Sequence, residues 1–456
     1  MDSLNNYKMS TRRDFIRKTT LVMAGATIGG MGLKAASYRR IIGSNDRVRV
    51  GVIGFSDRFR SSLYPCFLDH ASELNMEIVA VSDLWNRRRD EAKELLAGRF
   101  PEIKLARNND ELYSWKNLDA VIISTADFQH ALHLAEAVRA GCDAYVEKPF
   151  AETMEDSRVA LKAVKETGKV VQVGSQRRSG LNYMAANEYL RSGKFGPVTM
   201  VEMTWNVNQP GRWRRPLLTD SIRESDTDWK RYLMNRPFEP WDPRKYLEYR
   251  LFWPYSSGIP GQWMCHQIDT VHWFTGLRHP RSVAANGGVY VWKDGRKNFD
   301  TMTAVFEYGP PDDPRQGFQV LYTSRMHNEA GGVKELYFSN GGCLNLDKNR
   351  VTPEGGLTEE YARAMNLPAN LLEPFDLPSV TSSTSANTGS DPMTSAHMRN
   401  WMECIRSRKT PNADVMAGYQ HSIAVIMTTA ALHTGMRVTF DEERQEVMAG
   451  DKVFTM

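Results

Sequence analysis

The sequence predicts an α/β protein, a doubly wound parallel sheet followed by an α+β portion built on an open, mainly antiparallel sheet. Three observations carry this reading. Short apolar runs alternate with helical stretches over residues 47–174, the pattern of parallel strands buried on both faces. A glycine turn follows the first run directly, at Gly51-Val-Ile-Gly54. Beyond Gly174 the pattern changes to long strand-like alternation with few helices between, which suits antiparallel strands.

Taken in order, Val48, Val50, Val52 and Ile53 form the first buried strand. Gly54 permits the tight turn into a helix whose N-terminus can hold a pyrophosphate. Phe55 and Ser56 lie in that turn; Ser56 stands where a second glycine is expected and Phe59 where a third is. A second run, Glu77-Ile-Val-Ala-Val-Ser-Asp, ends in Asp83. A carboxylate at that strand tip accepts ribose hydroxyls and repels a 2′-phosphate, so it favours NAD over NADP. Residues 119–125 read as a strand, 129–140 as a helix, 143–147 as a strand, 154–167 as a helix and 169–174 as a strand. Ligands of such a sheet bind beyond the carboxyl ends of its strands, where Thr125, Asp127, His130, Glu147 and Lys148 fall. Lys148, in Asp143-Ala-Tyr-Val-Glu-Lys-Pro-Phe, can face a nicotinamide ring there and exchange the proton that accompanies hydride transfer. The plain alternative is a solvated lysine before a turn.

In the second portion, residues 198–206, 282–292, 302–308, 318–326 and 334–346 read as strands. Residues 379–395 are rich in Ser and Thr and read as an exposed loop, and 396–435 read as a helical region packing back on the first sheet. If Gly261–Trp273 is helical, His266 and Asp269 lie one turn apart on one face. The segment Trp205-Asn-Val-Asn-Gln-Pro-Gly-Arg-Trp-Arg-Arg-Pro offers flat rings with amides and guanidinia, the groups that stack and hydrogen-bond a sugar. Trp205, Asn206, Arg212 and Trp213 are the candidates there, with Arg177 and Arg178 beside them.

Gly51-Val-Ile-Gly, Asp83, Thr125 to His130, Glu147-Lys-Pro, Val173-Gly-Ser-Gln-Arg-Arg, Asp228-Trp, His266-Gln-Ile-Asp and His397-Met-Arg-Asn-Trp-Met-Glu-Cys-Ile-Arg occur in this order. Together they resemble the Gfo/Idh/MocA family of glucose–fructose oxidoreductases and inositol dehydrogenases. The resemblance implies a Rossmann-like NAD-binding domain, here 37–174, and an α+β domain, 175–456, whose sheet covers the nicotinamide and often forms a homo-oligomer interface. It implies Gly54, Phe55, Ser56, Asp83, Thr125, His130, Glu147, Lys148 and Gln176 at the cofactor, and Lys148 with His266 as the catalytic pair. The family's usual aspartate, four residues before the histidine, is replaced by Gln262, which can bond a sugar hydroxyl but cannot act as a base.

At 456 residues, 41% hydrophobic and 25% charged, the chain is long enough for two domains of ordinary soluble composition. Five cysteines without paired spacing argue against a disulfide framework or a metal site. Residues 11–17, Thr-Arg-Arg-Asp-Phe-Ile-Arg, resemble the twin-arginine export motif, and the weakly apolar stretch after them is too short for a permanent membrane span. Residues 1–36 hold six basic and two acidic side chains, which is the whole formal excess of +4. The remainder carries no nucleic-acid footprint. The expectation is a protein carried to the periplasm by the twin-arginine machinery, already folded and holding its dinucleotide. The leading activity is hydride transfer between a sugar or glycoside ring carbon, C3 by expectation, and a retained NAD. Two rivals are a redox-neutral glycosidase working by oxidation, elimination, hydration and reduction, and a non-catalytic carbohydrate-binding protein.

Overall fold

Strands β1 (Val48–Ile53), β2 (Met76–Ser82), β3 (Lys104–Ala106), β4 (Ala120–Ile123), β5 (Asp143–Val146) and β6 (Val171–Val173) pair in the order β3-β2-β1-β4-β5-β6, every pair parallel. The computed structural model describes residues 47–455 apart from 311–312, 314–315 and 379–390; the export-type segment 1–36 and most of the Ser/Thr-rich stretch lie outside them. Val48, Val50, Val52 and all four residues of β4 and of β5 are buried, as a sheet covered on both faces requires. Strand order reverses between β1 and β4, so a crevice opens at their carboxyl ends. The turn out of β1 needs Gly54: its φ is +83°, and a Cβ there would stand 2.7 Å from Thr125 Cγ2.

The second sheet is built from β7 (Met200–Asn206), β8 (Ser282–Gly288), β9 (Thr301–Tyr308), β10 (Phe318–Arg325), β11 (Val333–Ser339), β12 (Gly342–Asn345), β13 (Arg350–Pro353), β14 (Phe375–Asp376), β15 (Val438–Asp441), β16 (Glu446–Ala449) and β17 (Lys452–Val453). Their order is β14-β13-β12-β11-β7-β10-β9-β8-β15-β16-β17. Only β7 and β10 pair in parallel; all other pairs are antiparallel. Burial alternates along β9, β10 and β11, so one face is apolar and packs on helices Cys265–Thr275 and Val415–Thr434. The second of these helices is apolar enough to cross a bilayer, but 83% of its apolar window is buried in protein. It is a core helix, touching β8 on one side and β6 with helix Met154–Thr167 on the other.

The elements depart from the sequence reading at four places. The expected strand 334–346 is a hairpin, turning at Asn340-Gly341 with Ser339 opposite Gly342; an Asn-Gly pair between alternating hydrophobics is a turn signal. The strand expected over 282–292 stops at Gly288, because the Asp300 carboxylate takes the amides of Tyr290, Val291 and Trp292 into a turn. The region 396–435 is two helices, Pro392–Ser407 and Val415–Thr434, the first ending at Arg408 in left-handed conformation. Residues 392–395, expected in a loop, open that first helix, since Asp391 caps Thr394 and Pro392 occupies its first position.

Helix Pro392–Ser407 does return to the first sheet. His397, fully buried, has Nε2 2.8 Å from the Val173 carbonyl and Nδ1 2.7 Å from Ser179 Oγ. In the neutral ring Nε2 donates to the carbonyl and Nδ1 accepts from the hydroxyl, and burial pushes the ring's pKa down to about 4 from the usual 6.5. The folded state therefore disfavours protonation. Its contribution is complete above pH 6.5 and is lost as pH falls from there through 4. We expect about 3 kcal/mol of stability to vanish over that interval on account of this ring. Denaturant titrations of wild type and His397→Gln at pH 7 and pH 4 check it: the variant's stability difference between the two pH values should be smaller by about that amount.

Candidate functional site

One cavity of about 1450 Å³ lies at the carboxyl ends of β1, β4 and β5. It is larger than the roughly 300–1,000 Å³ of a single drug-sized pocket, so it has room for a dinucleotide and a second ligand together. Gly54, Phe55, Ser56, Asp83, Thr125, His130, Glu147, Lys148 and Gln176 all line it, and so do Arg177, Trp205, Arg212, Trp213, Gln262 and His266. Asn206 does not. It is buried at the end of β7, its amide donating to the Ala330 carbonyl at 3.2 Å.

At the first turn, Asp83 Oδ2 accepts the Phe55 amide at 2.8 Å and Oδ1 the Trp85 amide at 2.9 Å. Burial raises the Asp83 carboxyl against the pull of these amides. Asp57 begins the helix where a pyrophosphate would lie, an unfavourable sign by itself. Arg60 and Arg88 hold it at 2.5 and 2.9 Å, and Arg215 at 2.9 Å. Burial works against ionisation of Asp57, but the arginines outweigh it and keep the carboxyl below its usual range. Glu91 also pairs with Arg60 and Arg88, at 3.3 and 2.6 Å, so three guanidinia here share two carboxylates. The Thr125 hydroxyl and Gln176 Oε1 are buried without a hydrogen-bond partner, and both residues line the cavity. Buried polar atoms are normally satisfied, so these fit a polar ligand of dinucleotide kind.

The catalytic candidates meet where the two sheets face each other. Lys148 Nζ donates to the Gln262 carbonyl at 2.7 Å, in the π-helical turn Pro260–Met264 that precedes helix Cys265–Thr275. Such turns recur at functional sites. Burial lowers the Lys148 pKa, opposed by Glu147 and Asp127. Glu147 is paired with Arg58 at 2.9 Å; burial opposes its ionisation, but Arg58 and Lys148 keep it below the usual range. His266 stacks on Trp205 with centroids 5.8 Å apart, and burial first, then Lys148 and Arg177, drive its pKa well below 6.5. Trp205 stacks in turn on Trp263, which Trp213 also meets at 5.7 Å.

Gln262 does not point an idle amide into the cavity. Its Nε2 donates to Asp127 Oδ2 at 2.6 Å and its Oε1 accepts from Arg250 Nε at 2.8 Å. Arg177 is paired with Glu335 and lies over the Trp205 ring, while Arg178 grips Asp269 through two bonds of 2.8 and 2.9 Å. His130 is fixed by the Pro149 carbonyl at 2.8 Å. Cys265 is buried, and all five cysteines are free. Sequence reading missed Arg58, Asp57, Arg250 and Trp263 as parts of the site. Trp263 lies one residue from Gln262 and could have been found from that motif. The arginines have no local signal, because their partners are 89 residues away for Arg58 and 12 for Arg250.

A family model described as "Oxidoreductase family, NAD-binding Rossmann fold" matches residues 48–175. An inositol 2-dehydrogenase of Cereibacter sphaeroides is 28% identical over 195 residues, 41% of this chain and 54% of that protein. The NAD(+)-dependent scyllo-inositol 2-dehydrogenase of Bacillus subtilis is 33% identical over 121 residues, 26% of this chain and 34% of that one. The chain thus spans about half the length, or less, of these curated relatives. The structure of the WlbA dehydrogenase of Bordetella pertussis, in complex with NADH and UDP-GlcNAcA, is similar in fold: TM-score 0.62 at 16% identity, over 87% of this chain and 98% of that one.

Arg58 holds Glu147, the carboxylate next to Lys148 in the chain. Removing it leaves Glu147, whose side chain is 5% exposed, without its counter-ion. Arg58→Met should cost about 3 kcal/mol of stability, read as a shift in the denaturant midpoint at neutral pH, and the cost should shrink at acid pH as Glu147 takes up a proton.

Proposed function

We propose that this chain, whose residues 48–175 match the Gfo/Idh/MocA oxidoreductase model, transfers a hydride between a ring carbon of a sugar or glycoside and a tightly held NAD. The observation that carries this reading is Lys148, buried with a lowered pKa in the same cavity as a neutral His266. A general base must give up its proton near working pH and lie within reach of the proton it takes, and burial lowers the pKa of both groups, which favours the first condition. In the oxidative direction a dinucleotide held by the Gly54–Ser56 turn, Asp83, Thr125 and Gln176 would supply the acceptor for the ring carbon's hydride. The hydroxyl proton passes to Lys148 or His266, and the C–O bond becomes a carbonyl. The Gln262 carbonyl orients Lys148, and Asp127 with Arg250 orients Gln262. C3 is the carbon we assign to the reaction.

Two further parts of the proposal have separate support. Asp83 at the ribose end supports NAD rather than NADP. Retention is supported by the segment between β7 and the π-helical turn, which lies across the crevice. Its Ile222, Trp229, Tyr232, Tyr246 and Tyr255 share an apolar cluster with Trp85, Ala126 and Phe128 of the first half. Arg231 pairs with Asp110 at 2.7 Å, and Arg236 with buried Asp156 at 3.1 Å. Such a cover slows release of whatever lies beneath it. It fits export in the folded state through the twin-arginine pathway, with the cofactor loaded beforehand.

Protein purified without added nucleotide should release NAD, identified by mass after denaturation; NADP or no nucleotide would count against the cofactor assignment. With the true substrate, Lys148→Ala should reduce nicotinamide reduction by about 10²–10⁴-fold while the far-ultraviolet spectrum stays unchanged. The wild-type oxidation rate should rise with pH through a pKa below 10.5, as Lys148 loses its proton, and that limb should be missing in the variant.

A further inference from the structure

The loop that carries Lys148 has no regular structure of its own. β5 ends at Val146, and the next helix begins at Met154. Pro149, Phe150, Ala151 and Glu152 between them are buried, so the backbone groups of the loop need partners from elsewhere. Side chains supply them. The Pro149 carbonyl accepts from His130 Nδ1 at 2.8 Å. The Phe150 amide donates to His421 Nε2 and the Ala151 amide to Ser422 Oγ, each at 3.2 Å. Both acceptors are fully buried on helix Val415–Thr434.

That helix presents a face shaped for the loop. Gly418, His421 and Ser422 fall at i, i+3 and i+4 and so share one side of it. A Cβ at Gly418 would stand 2.7 Å from Phe150 Cδ2 and 2.9 Å from Val173 Cγ2. Glycine there lets the Phe150 ring lie directly on the helix backbone.

His421 also faces the other half of the site. An amide can only donate, so Nε2 is the bare nitrogen and the ring proton sits on Nδ1. Nδ1 has no hydrogen-bond partner among the described residues, but it stands 3.9 Å from Asp269 Oδ1. A carboxylate opposite that nitrogen favours the tautomer the Phe150 amide needs. Burial opposes ionisation of Asp269, but Arg178 and His421 hold its carboxyl below the usual range. Asp269 is gripped by Arg178 through two bonds and lies one turn after His266 on helix Cys265–Thr275.

We propose that His421 is a positioning residue of this site: set between the Lys148 loop and the helix that bears His266, its ring fixes the two proton-handling groups relative to one another. The proposal rests on the hydride-transfer reading for its meaning. His421 lines no part of the cavity, so it acts through the loop and Asp269 and touches neither ligand. A misplacement of about 1 Å at a reacting group can cost about 10²-fold in rate, which is why this spacing matters.

The test uses the full chain with its dinucleotide. His421→Leu keeps much of the ring's volume and removes the acceptor; His421→Gln returns an acceptor oxygen at a similar reach. Should His421→Leu fail to fold, His421→Asn, too short to reach the Phe150 amide, takes its place. The first readout needs no substrate: the rate at which acetic anhydride labels Lys148, followed by peptide mass against pH. Only the free amine reacts, so the midpoint is the pKa of Lys148. It should lie below 10.5 in wild type, rise toward 10.5 in His421→Leu as the loosened ammonium is rehydrated, and return in His421→Gln. The second is nicotinamide absorbance with D-glucose, D-galactose and their methyl glycosides. There His421→Leu should lower kcat by about 10²-fold with KM little changed, and His421→Gln should recover most of it. The inference is overturned if the Lys148 midpoint is the same in His421→Leu as in wild type, or if His421→Gln restores neither midpoint nor kcat. A midpoint that shifts and is rescued, in a protein whose absorbance never changes with any sugar, would uphold the positioning role and defeat the hydride-transfer reading. Wild-type turnover with midpoint and kcat both indifferent to His421→Leu would do the reverse.

Discussion

The hydrogen bond from Lys148 Nζ to the Gln262 carbonyl is the constraint on which the rest of the site depends. It joins the end of β5 to the first turn of the helix beneath the second sheet, so neither half alone defines where the ammonium sits. A carbonyl acceptor orients a lysine without neutralising it. A carboxylate there would hold the proton on, whereas a buried lysine bonded to a neutral oxygen is free to lose it. The neighbouring carboxylate, Glu147, is turned to Arg58. The arrangement keeps negative charge close enough to limit the cost of burial, while burial still lowers the Lys148 pKa.

Gln262 extends the same logic. A carboxylate in its place would stand beside Asp127, which is fully buried and whose Oδ2 already accepts Ser256 and the Gln262 amide. Two ionised carboxylates at that separation disfavour one another. The amide donates to one side and accepts from Arg250 on the other, so it bridges an acid and a base with no charge of its own. Nearby Glu152 shows what happens without such a bridge: burial, then Asp127, raises its carboxyl to about 8. The glutamine thus belongs to the machinery that positions Lys148, a role its side-chain chemistry allows and its place in the motif does not reveal.

What the sequence made legible follows from the range of the forces involved. The strands of the first sheet are apolar runs closed by glycine, Asp83 and Glu147, all local features, and their order was readable from alternation. Lys148 and His266 were readable from short motifs. The hairpin at Asn340-Gly341 carried a local signal that the longer strand reading overrode. Arg58, Arg250 and Asp57 carried none, since what makes them matter is a partner brought close by the fold. Asn206 shows the converse: it lies in a segment of suitable composition, but strand alternation turns it toward the Ala330 carbonyl.

Asp57 raises a last question of sign, because a carboxylate at the start of a helix opposes an anion at the same place. Its own charge is answered by Arg60 and Arg88 from the first half of the chain and by Arg215 from the covering segment. The Arg215 contact ties the cover to the floor of the crevice through a bond that lies at its phosphate end. With Asp57 apolar, Arg215 would lose that anchor, and Arg60 and Arg88 would keep only Glu91. The acid therefore gathers guanidinia at this turn while making the cover part of the same electrostatic unit. A diphosphate arriving there meets donors already gathered and a cover already attached, so less order has to be gained on binding.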